Sequence, residues 1–561
     1  MNIATYRWAR RSLVSMVIFG TGFFALDART SDIYPGMAVE EINQILNDAN
    51  PGDTLSFHPG TYTGPFVLEN LHGKVNQAIV IAGEKATIDG KSKPGTALMN
   101  QAFRISNSSW ISIEGFTIKN CWTDLVLAED ASYISLRFCK LFGGKRALFA
   151  TGRGSHHFLV EHCSWEQDSR VWTYEDDFNW DEVHHGIHKH YNGSLFQGSK
   201  ISGVFVLRDN HIKNTFNAFR LSQINDGEKD LLACTNGEVC RNTILNTSDN
   251  VFEPEVHARN LHFYHNQMIN GHAFISITEV EGGEIYIYGN TAVSLPGVED
   301  GWTIFKISSN RDTLSLPLYI YNNSWQVDFD IFGSPRHVWK NNHIRCFNNA
   351  TFCETGEEFG IYDLGEGNHF DYNLSNLPFP KLLTQNGFEA NGLVADPMFR
   401  APYRSNFRLR AGSPCIDRGK TDSGLIFDFH GKAPDIGAYD DDALVEGPPF
   451  RFVQPDAKLP FREQPRITRH KMNSSALSVW FSSPLSQESV NSTRFWIRNG
   501  EELLAIKKAE LSPDGYSITL ALEHSPDTPP SEILVSQWIT GQNDMLCTSW
   551  ASTLPIRLKT D

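Results

Sequence analysis

The sequence predicts a right-handed parallel β-helix, an all-β solenoid, followed by a small β-sandwich. Three observations predict it: a strand-like motif recurs about every two dozen residues, an Asn holds the same place in most copies, and the composition changes near residue 440. A unit of this size, built from short strands and turns, cannot bury an apolar face alone, whereas stacked coils can. The chain of 561 residues is long enough for two or three folding units.

In each copy of the repeat, an apolar strand ends in Asn, and another apolar residue usually follows two positions later. The copies end at Asn210, Asn242, Asn266, Asn290, Asn323 and Asn342, and earlier ones begin at Trp110, Tyr133 and Phe158. An Asn at a fixed place suits a tight turn with left-handed backbone and a ladder of side-chain amides. Coils longer than the repeat are expected to carry loops on one face, where function tends to lie.

The two ends of the repeat region support the same fold. Residues 51–62, with Pro51-Gly-Asp-Thr-Leu-Ser-Phe, resemble the opening coil of the pectate-lyase-like β-helix superfamily, and residues 40–49 are predicted to form a cap helix before it. Residues 412–419 and 434–439 resemble the closing segment of that superfamily. The resemblance covers roughly residues 34–440 and implies the fold, but it implies no single activity because this scaffold hosts many functions.

The composition changes after Tyr439. Residues 441–465 are linker-like, and residues 466–561 show short alternating strands with a turn at Pro513-Asp-Gly515. This pattern resembles bacterial immunoglobulin-like modules and predicts a small β-sandwich.

The N-terminal 30 residues resemble an export signal. Arg7, Arg10 and Arg11 precede an apolar run from Ser12 to Leu26, and small and polar residues follow. We expect a secreted or periplasmic protein with no membrane segment after signal removal; an uncleaved anchor is the alternative. The formal net charge of −16 and the lack of a basic tract exclude a nucleic-acid partner. An anionic substrate would need a local basic groove or a bound cation.

Nine cysteines accompany this export signal. Cys234 with Cys240, and Cys346 with Cys353, are close enough in sequence for local disulfides, although buried free thiols are the alternative. Cys121, Cys139 and Cys163 are expected to stack in the core.

The repeat allows residues of successive coils to be aligned. The strands at residues 218–222, 251–255, 273–277 and 304–308 place one Phe each in a predicted inward column: Phe219, Phe252, Phe274 and Phe305. The neighbouring outward column then holds Arg220, Glu253, Ile275 and Lys306, with Glu255 beside it. Because coils are spaced about 4.8 Å apart, Arg220 and the Glu253/Glu255 pair are expected to be neighbours.

These outward residues are compatible with several chemistries. A glycosidase needs two carboxyl groups about 5 to 9.5 Å apart, which Glu253 and Glu255 could supply. A lyase needs cations to neutralise a uronate and a base for the C5 proton, for which the candidates are Arg220, Lys306, His257 and Arg259. The glutamates could also hold Ca²⁺. The alternative to all of these is an exposed salt-bridge ladder.

Glu253-Pro-Glu255 is similar to the Glu-x-Glu calcium motif of the alginate lyase and chondroitinase B family. The resemblance implies that Glu253 and Glu255 could bind calcium. Asn260 and Ile275 or Ile277 fall near the places where that family has its Lys base and its Arg, so the base does not carry over. His257 is the nearest substitute.

A long insertion between Cys163 and Gly203 is rich in aromatic and acidic residues and carries four His within seven residues. Aromatic rings among polar groups are typical of sugar sites, so Trp172, Tyr174, Glu175, Trp180 and Tyr191 are predicted to contact substrate. His184 and His185 are further acid–base candidates. A transition-metal site and a merely structural loop are the alternatives.

Three functions remain open from the sequence. The first is a lyase that cleaves an acidic extracellular polysaccharide by β-elimination, chemistry that a uronate epimerase shares. The second is a glycoside hydrolase with a carboxyl pair, and the third is a non-catalytic glycan-binding protein. A monomer is expected in each case.

Overall fold

The chain was examined as a computed structural model. The residues that it describes are 28–75, 77–94, 101–152, 155–174, 178–201, 203–222, 235–254, 258–277, 283–297, 301, 303–307, 317–333, 343–353, 367–422, 425–426, 429–448, 467–473, 475–481, 484–487, 490, 495–499, 502–524, 532–535 and 554–557. The predicted signal segment therefore lies outside the described residues up to residue 27.

Short strands dominate the first 400 residues. In chain order they are β1 (Thr30–Ile33), β2 (Thr54–Phe57), β3 (Gly60–Tyr62), β4 (Phe66–Glu69), β5 (Ile79–Ala82), β6 (Ala86–Asp89), β7 (Phe103–Ser106), β8 (Ser109–Glu114), β9 (Thr117–Lys119), β10 (Asp124–Glu129), β11 (Ser132–Arg137), β12 (Lys140–Phe142), β13 (Arg146–Thr151), β14 (His156–Glu161), β15 (Ser164–Glu166), β16 (Ser194–Ser199), β17 (Gly203–Arg208), β18 (His211–Thr215), β19 (Phe219–Ser222), β20 (Thr235–Cys240), β21 (Thr243–Pro254), β22 (Arg259–Tyr264), β23 (Gln267–Ser276), β24 (Gly283–Tyr288), β25 (Thr291–Val293), β26 (Thr303–Lys306), β27 (Leu318–Tyr321), β28 (Ser324–Val327), β29 (Asp330–Gly333), β30 (Ile344–Phe347), β31 (Ala350–Cys353), β32 (His369–Asp371), β33 (Leu374–Ser375) and β34 (Leu393–Val394).

These strands form a stack of coils with three parallel faces. Sheet 1 runs β1-β2-β5-β8-β11-β14-β17-β20-β22-β24-β27-β30-β32. Sheet 2 runs β3-β6-β9-β12-β15-β18-β21-β23-β25-β28-β31-β33-β34. Sheet 3 runs β4-β7-β10-β13-β16-β19-β21-β23-β26-β29, and the long strands β21 and β23 belong to both sheets 2 and 3. The predicted parallel β-helix is confirmed; its right-handed winding stays a prediction.

The β-helix starts slightly earlier than the sequence predicted. β1 begins at Thr30 rather than at residue 34, and it pairs in parallel with β2. The predicted cap helix is present as α1 (Val39–Asn47), which buries Ile42 and Leu46 against the first coil. Three further short helices are α2 (Ser169–Thr173), α3 (Trp180–His184) and α4 (Lys381–Gln385), and two 3₁₀ turns span Lys189–Tyr191 and Pro402–Arg404.

An asparagine ladder follows the turn between sheets 1 and 2. Each Nδ2 donates to the Oδ1 of the Asn one coil further on, at 2.9–3.1 Å. The members are Asn210, Asn242, Asn266, Asn290, Asn323, Asn349 and Asn373. The sequence predicted Asn342 as the rung after Asn323, and this was wrong. Asn342 itself lies outside the described residues. Asn349 occupies the rung, because the strand that leads to this turn is β30 (Ile344–Phe347), which comes before Asn349 and after Asn342. The left-handed residue is the one before each Asn, such as Arg241 or His265.

The interior of the coils is apolar, and the cysteines there are thiols. Cys121, Cys139 and Cys163 are buried as predicted. Cys346 and Cys353 are buried and free, so the alternative of buried thiols applies to this pair rather than a disulfide. Cys234 lies outside the described residues.

The segment after the last coil folds back against the stack. It contains β35 (Phe399–Ala401), β36 (Asn406–Leu409), β37 (Tyr439–Asp440) and β38 (Ala443–Leu444). Asn322 Nδ2 donates to the carbonyl oxygens of Asp435 and Gly437, which seats this segment on the turns of the β-helix.

The C-terminal region contains two four-stranded antiparallel sheets. One is ordered β39 (Ile467–Asn473), β40 (Ala476–Phe481), β44 (Ser517–Leu522) and β43 (Ile506–Leu511), and the other β42 (Glu502–Leu504), β41 (Phe495–Asn499), β45 (Glu532–Val535) and β46 (Leu554–Arg557). Buried residues of both sheets, such as Val479 and Ile497, share one hydrophobic cluster. The immunoglobulin-like assignment stays a prediction. None of the helices in the described part of the chain has the length and apolar character needed to span a bilayer.

Loss of one rung should weaken the coil stack. Asn266→Ala removes the Nδ2 donor to Asn290 and the Oδ1 acceptor for Asn242 at a buried position. We expect the free energy of unfolding to fall by about 1–3 kcal/mol, measured by urea denaturation followed by circular dichroism. Lys140→Ala on the exposed face of β12 is the control and should have almost no effect. Equal losses in the two variants would contradict a stabilising role for the ladder.

Candidate functional site

Sheet 3 places one predicted column of charged residues on its outer face. Pairing runs Gln197–Arg220–Glu253 along β16, β19 and β21, and continues through β23 to Lys306 in β26. Phe219, Phe252 and Phe305 are buried on the inner side, as predicted. Arg220, Glu253 and Lys306 therefore share one outward column, although more than eighty residues of chain separate the first from the last.

The predicted register was wrong in one coil. Ile275, not Phe274, pairs with Phe252 and Phe305, so Ser276 rather than Ile275 lies between Glu253 and Lys306. The cause is a register shift between Thr247 and Asn250, where β21 has one more residue than β23. Phe274 is also buried, because it lies at the bend where β23 passes from sheet 2 to sheet 3.

Each of the predicted outward cations has a carboxylate partner. Arg220 Nε lies 3.1 Å from Glu253 Oε2, and the Arg220 guanidinium also donates to Asn192 Oδ1 at 3.0 Å. Lys306 Nζ lies 3.9 Å from Asp249 Oδ1. These carboxylates hold the cations on the sheet surface with little freedom, since Glu253 and Asp249 are both buried.

Two further cations reach the same face from an earlier coil, and sequence reasoning missed both. Arg146 begins β13, donates to both carboxylate oxygens of Asp124, and lies 3.7 Å from the centre of the Phe149 ring. It also reaches Gln197 Oε1 at 3.4 Å, next to Arg220. The Gly143-Gly144 turn before Lys145 was the available signal, because it marks a corner of the coil.

Lys145 is half-buried at the corner between sheets 2 and 3. Burial and the positive charges of Arg146 and Arg220 lower the pKa of its amine from 10.5 to about 8, against the opposing effect of Asp124. Among the described residues, its Nζ has neither a carboxylate partner nor a hydrogen bond. An amine in this state can accept a proton near neutral pH.

The insertion between β15 and β16 forms a wall beside sheet 3. It contains α2, α3 and the 3₁₀ turn, and packs around a small core of its own that includes Trp122, Phe178 and Tyr191. Tyr191 is therefore corrected as a substrate contact: it is buried, and its hydroxyl accepts a hydrogen bond from Arg170 at 2.7 Å.

Two side chains of helix α3, Trp180 and His184, lie on the side of the charged column. Trp180 Nε1 donates to Asp249 Oδ1 at 3.1 Å, the same oxygen that faces Lys306. His184 stacks on the Trp180 ring with the centroids 4.5 Å apart. Burial lowers the pKa of His184 to about 4, together with the neighbouring His185 ring and the positive charges of Arg220 and Lys306, while Glu253 acts in the opposite direction.

The other predicted site residues are dispersed. Trp172 and Tyr174 are half-buried at the end of α2. Glu175, Glu255 and His257 lie outside the described residues. Arg259 is corrected: it begins β22 in sheet 1, where its Nε lies 3.6 Å from Glu284, because the chain turns to a new sheet just before it.

The described part of this face does not form a calcium cage. Calcium takes six to eight oxygen ligands, whereas Glu253 is engaged by Arg220 and Asp249 by Trp180 and Lys306. No cluster of three or more His, Cys, Asp or Glu ligands is found among the described residues. Calcium held by Glu253 and Glu255 therefore stays a prediction.

Comparison with known proteins gives likeness of fold only. No family model and no curated protein matches the sequence. Among solved structures, the chain is similar to pectate lyase Pel9A, at 13% identity and a TM-score of 0.45 over 74% of this chain and 97% of that chain. It is also similar to the PL6 family alginate lyase AlyGC (12%, 0.41, 66% and 54%) and to an endo-xylogalacturonan hydrolase from Aspergillus tubingensis (10%, 0.36, 65% and 99%). At such identities the chemistry of this chain rests on its own residues.

Asp249 should hold the insertion against sheet 3. Asp249→Ala removes the acceptor for Trp180 and the partner of Lys306, so we expect the segment 167–193 to become more sensitive to limited proteolysis. Cleavage sites would be located by mass spectrometry of the fragments. The exposed Asp396→Ala is the control and should leave the digestion pattern of this segment unchanged. An unaltered pattern in Asp249→Ala would contradict the role of this contact.

Proposed function

We propose that this protein is a secreted polysaccharide lyase that cleaves a uronate-containing glycan by β-elimination on the outer face of sheet 3. The observation that carries the proposal is the position of Lys145, an amine without a counter-ion among the described residues, beside the paired cations Arg146 and Arg220. A local group of cations is what an anionic substrate requires from a chain of net charge −16.

The paired cations suit recognition of a carboxylate. A uronate bound over the column would exchange hydrogen bonds with the Arg220 guanidinium and attract Lys306. Drawing negative charge from the uronate carboxylate makes the proton at C5 more acidic, which is the difficult part of β-elimination. Glu253 and Asp249 keep Arg220 and Lys306 in place while no substrate is bound.

Lys145 is the proposed base. Its neutral amine takes the C5 proton, the C5–H electron pair forms the C4=C5 double bond, and the bond from C4 to the glycosidic oxygen breaks. The departing oxygen receives a proton and becomes a hydroxyl. No water is added, so the product carries an unsaturated sugar at its new non-reducing end.

Hydrolysis is less well supported by the described residues. A hydrolase needs one carboxyl group that donates a proton, whereas Glu253 is held by a guanidinium and its predicted partner Glu255 lies outside the described residues. An epimerase would use the same C5 proton transfer without breaking the C4–O bond. A binding protein would leave the glycan unchanged.

One assay separates these functions. The purified protein is incubated with alginate, polygalacturonate, chondroitin sulfate and hyaluronan, and both ultraviolet absorbance and reducing ends are followed. A lyase raises both signals together, a hydrolase raises only reducing ends, and a binding protein or an epimerase raises neither; exchange of the C5 hydrogen with deuterated water then distinguishes the epimerase from the binding protein. A parallel arm with a chelator and added Ca²⁺ tests the predicted calcium site. New reducing ends without ultraviolet absorbance would overturn the proposal.

The base should be visible in the pH profile. Because the free amine is the active form and its pKa is about 8, kcat/KM should rise with pH and level off above that value. Lys145→Met should lower kcat by about 100-fold or more, with KM changed far less. Lys140→Met, on an exposed site of the same coil, is the matched control. A full rate in Lys145→Met, or a profile that falls through pH 8, would show that Lys145 is not the base.

A further inference from the structure

A chain of three titratable side chains runs through helix α3 and the turn that follows it. Asp181 Oδ1 lies 3.2 Å from His185 Nδ1, and His185 Nε2 lies 2.7 Å from His184 Nδ1. Both ring nitrogens of His185 are thus engaged in line, one toward each neighbour. Such a line of hydrogen bonds is a path along which a proton can pass by small shifts at each step.

The two ends of this hydrogen-bonded line of side chains lie in different surroundings. The side chains of Asp181 and His185 are 79% and 62% exposed, so this end is open to solvent. His184 is half-buried and stacks on Trp180, whose Nε1 is bound to Asp249 beside Lys306. The inner end of the chain is therefore fixed against the charged column of sheet 3.

The charges around the two histidines set the direction of transfer. From sheet 3, Arg220 and Lys306 disfavour a proton on His184, with Glu253 opposing them; on its own element, His185 also disfavours it. His185 Nδ1 faces the Asp181 carboxylate, so its partner on the outer side is a hydrogen-bond acceptor. His184 is the member of the pair on which a proton is disfavoured, so a reaction must draw the proton inward to it.

We propose that Asp181, His185 and His184 form a proton relay that carries a proton from solvent to the departing glycosidic oxygen. The inference rests on the proposed lyase function and names the group that completes it. Lys145 and the relay then have separate tasks: one removes the C5 proton, and the other supplies a proton at the oxygen on C4.

The transfer balances without a further reactant. In one concerted step, the oxygen takes the proton of His184 Nε2 as the C4–O bond breaks, and His184 Nδ1 takes the proton of His185 Nε2, so no imidazolate forms. His185 keeps its other proton on Nδ1, hydrogen-bonded to Asp181. After the product leaves, His184 exchanges its Nδ1 proton for one on Nε2 through solvent, His185 Nε2 recovers a proton from solvent, and Lys145 releases to solvent the proton taken from C5, which restores the starting state.

The test separates the relay from the base by means of the leaving group. His185→Gln should lower kcat on the polysaccharide by about 100-fold, because a sugar alkoxide leaves poorly without a proton. Exogenous imidazole should restore part of this rate, since the exposed place of His185 is open to solvent. A synthetic uronide with a phenol at C4 needs little help in leaving, so its elimination should slow far less in His185→Gln and still depend fully on Lys145.

His211→Gln is the matched control, since His211 is exposed on β18 of sheet 2. Circular dichroism and melting curves establish that each variant is folded. If the wild-type protein forms unsaturated products and His185→Gln matches it, the relay is wrong while the lyase function stands. If imidazole restores nothing, or both substrates slow equally, the relay is also wrong. Absence of unsaturated products from the wild-type protein would instead overturn the lyase proposal itself.

Discussion

Register between successive coils is the constraint on which the candidate site depends. Parallel pairing sets each strand directly beside its equivalent in the next coil, and the asparagine ladder holds that alignment at one corner through buried amide hydrogen bonds. Arg220, Glu253 and Lys306 meet for this reason alone. A slip of one residue would turn all three into the apolar interior and bring the Phe column outward, at a cost far above that of any surface contact.

Under the proposed function, the cations of this face would let an acidic protein attract an anionic polymer at close range. Arg146, Arg220 and Lys306 each lie against a carboxylate, which keeps their side chains ordered without substrate. Each pair is neutral as a unit and salt screens exposed charges over a Debye length of about 8–10 Å, so these cations act mainly on an anion that is already close to the face. Lys145 differs because burial, and then the positive charges of Arg146 and Arg220, disfavour its protonated form and lower its pKa.

The sequence predicted the coil stack and the column, since both follow from a period that can be counted. The prediction failed where the number of residues in a coil departs from that period. The extra residue of β21 moves Phe274 out of the predicted column, and an Asn-Asn pair at residue 342 imitates a rung that belongs to Asn349. Lys145 escaped notice because nothing in its local sequence marks it as reactive, and only coil stacking brings it near Arg220. Tyr191 was misassigned because composition cannot distinguish a ring that lines a site from one that fills the core of a loop.

For the proposed elimination, the insertion supplies side chains from a direction that a flat sheet alone does not offer. Side chains on sheet 3 project in one direction. Elimination requires one protein group near the C5 proton and another near the oxygen on C4. Side chains of a single flat surface do not reach both atoms equally well. The insertion adds a second wall, and Asp249 joins the walls because one of its oxygens faces both Trp180 and Lys306. Asn192, at the other end of the insertion, accepts a hydrogen bond from Arg220. The position of His184 over the column is thereby coupled to the same cations that would hold the substrate, so the loop can supply acid–base groups without altering the coil stack beneath it.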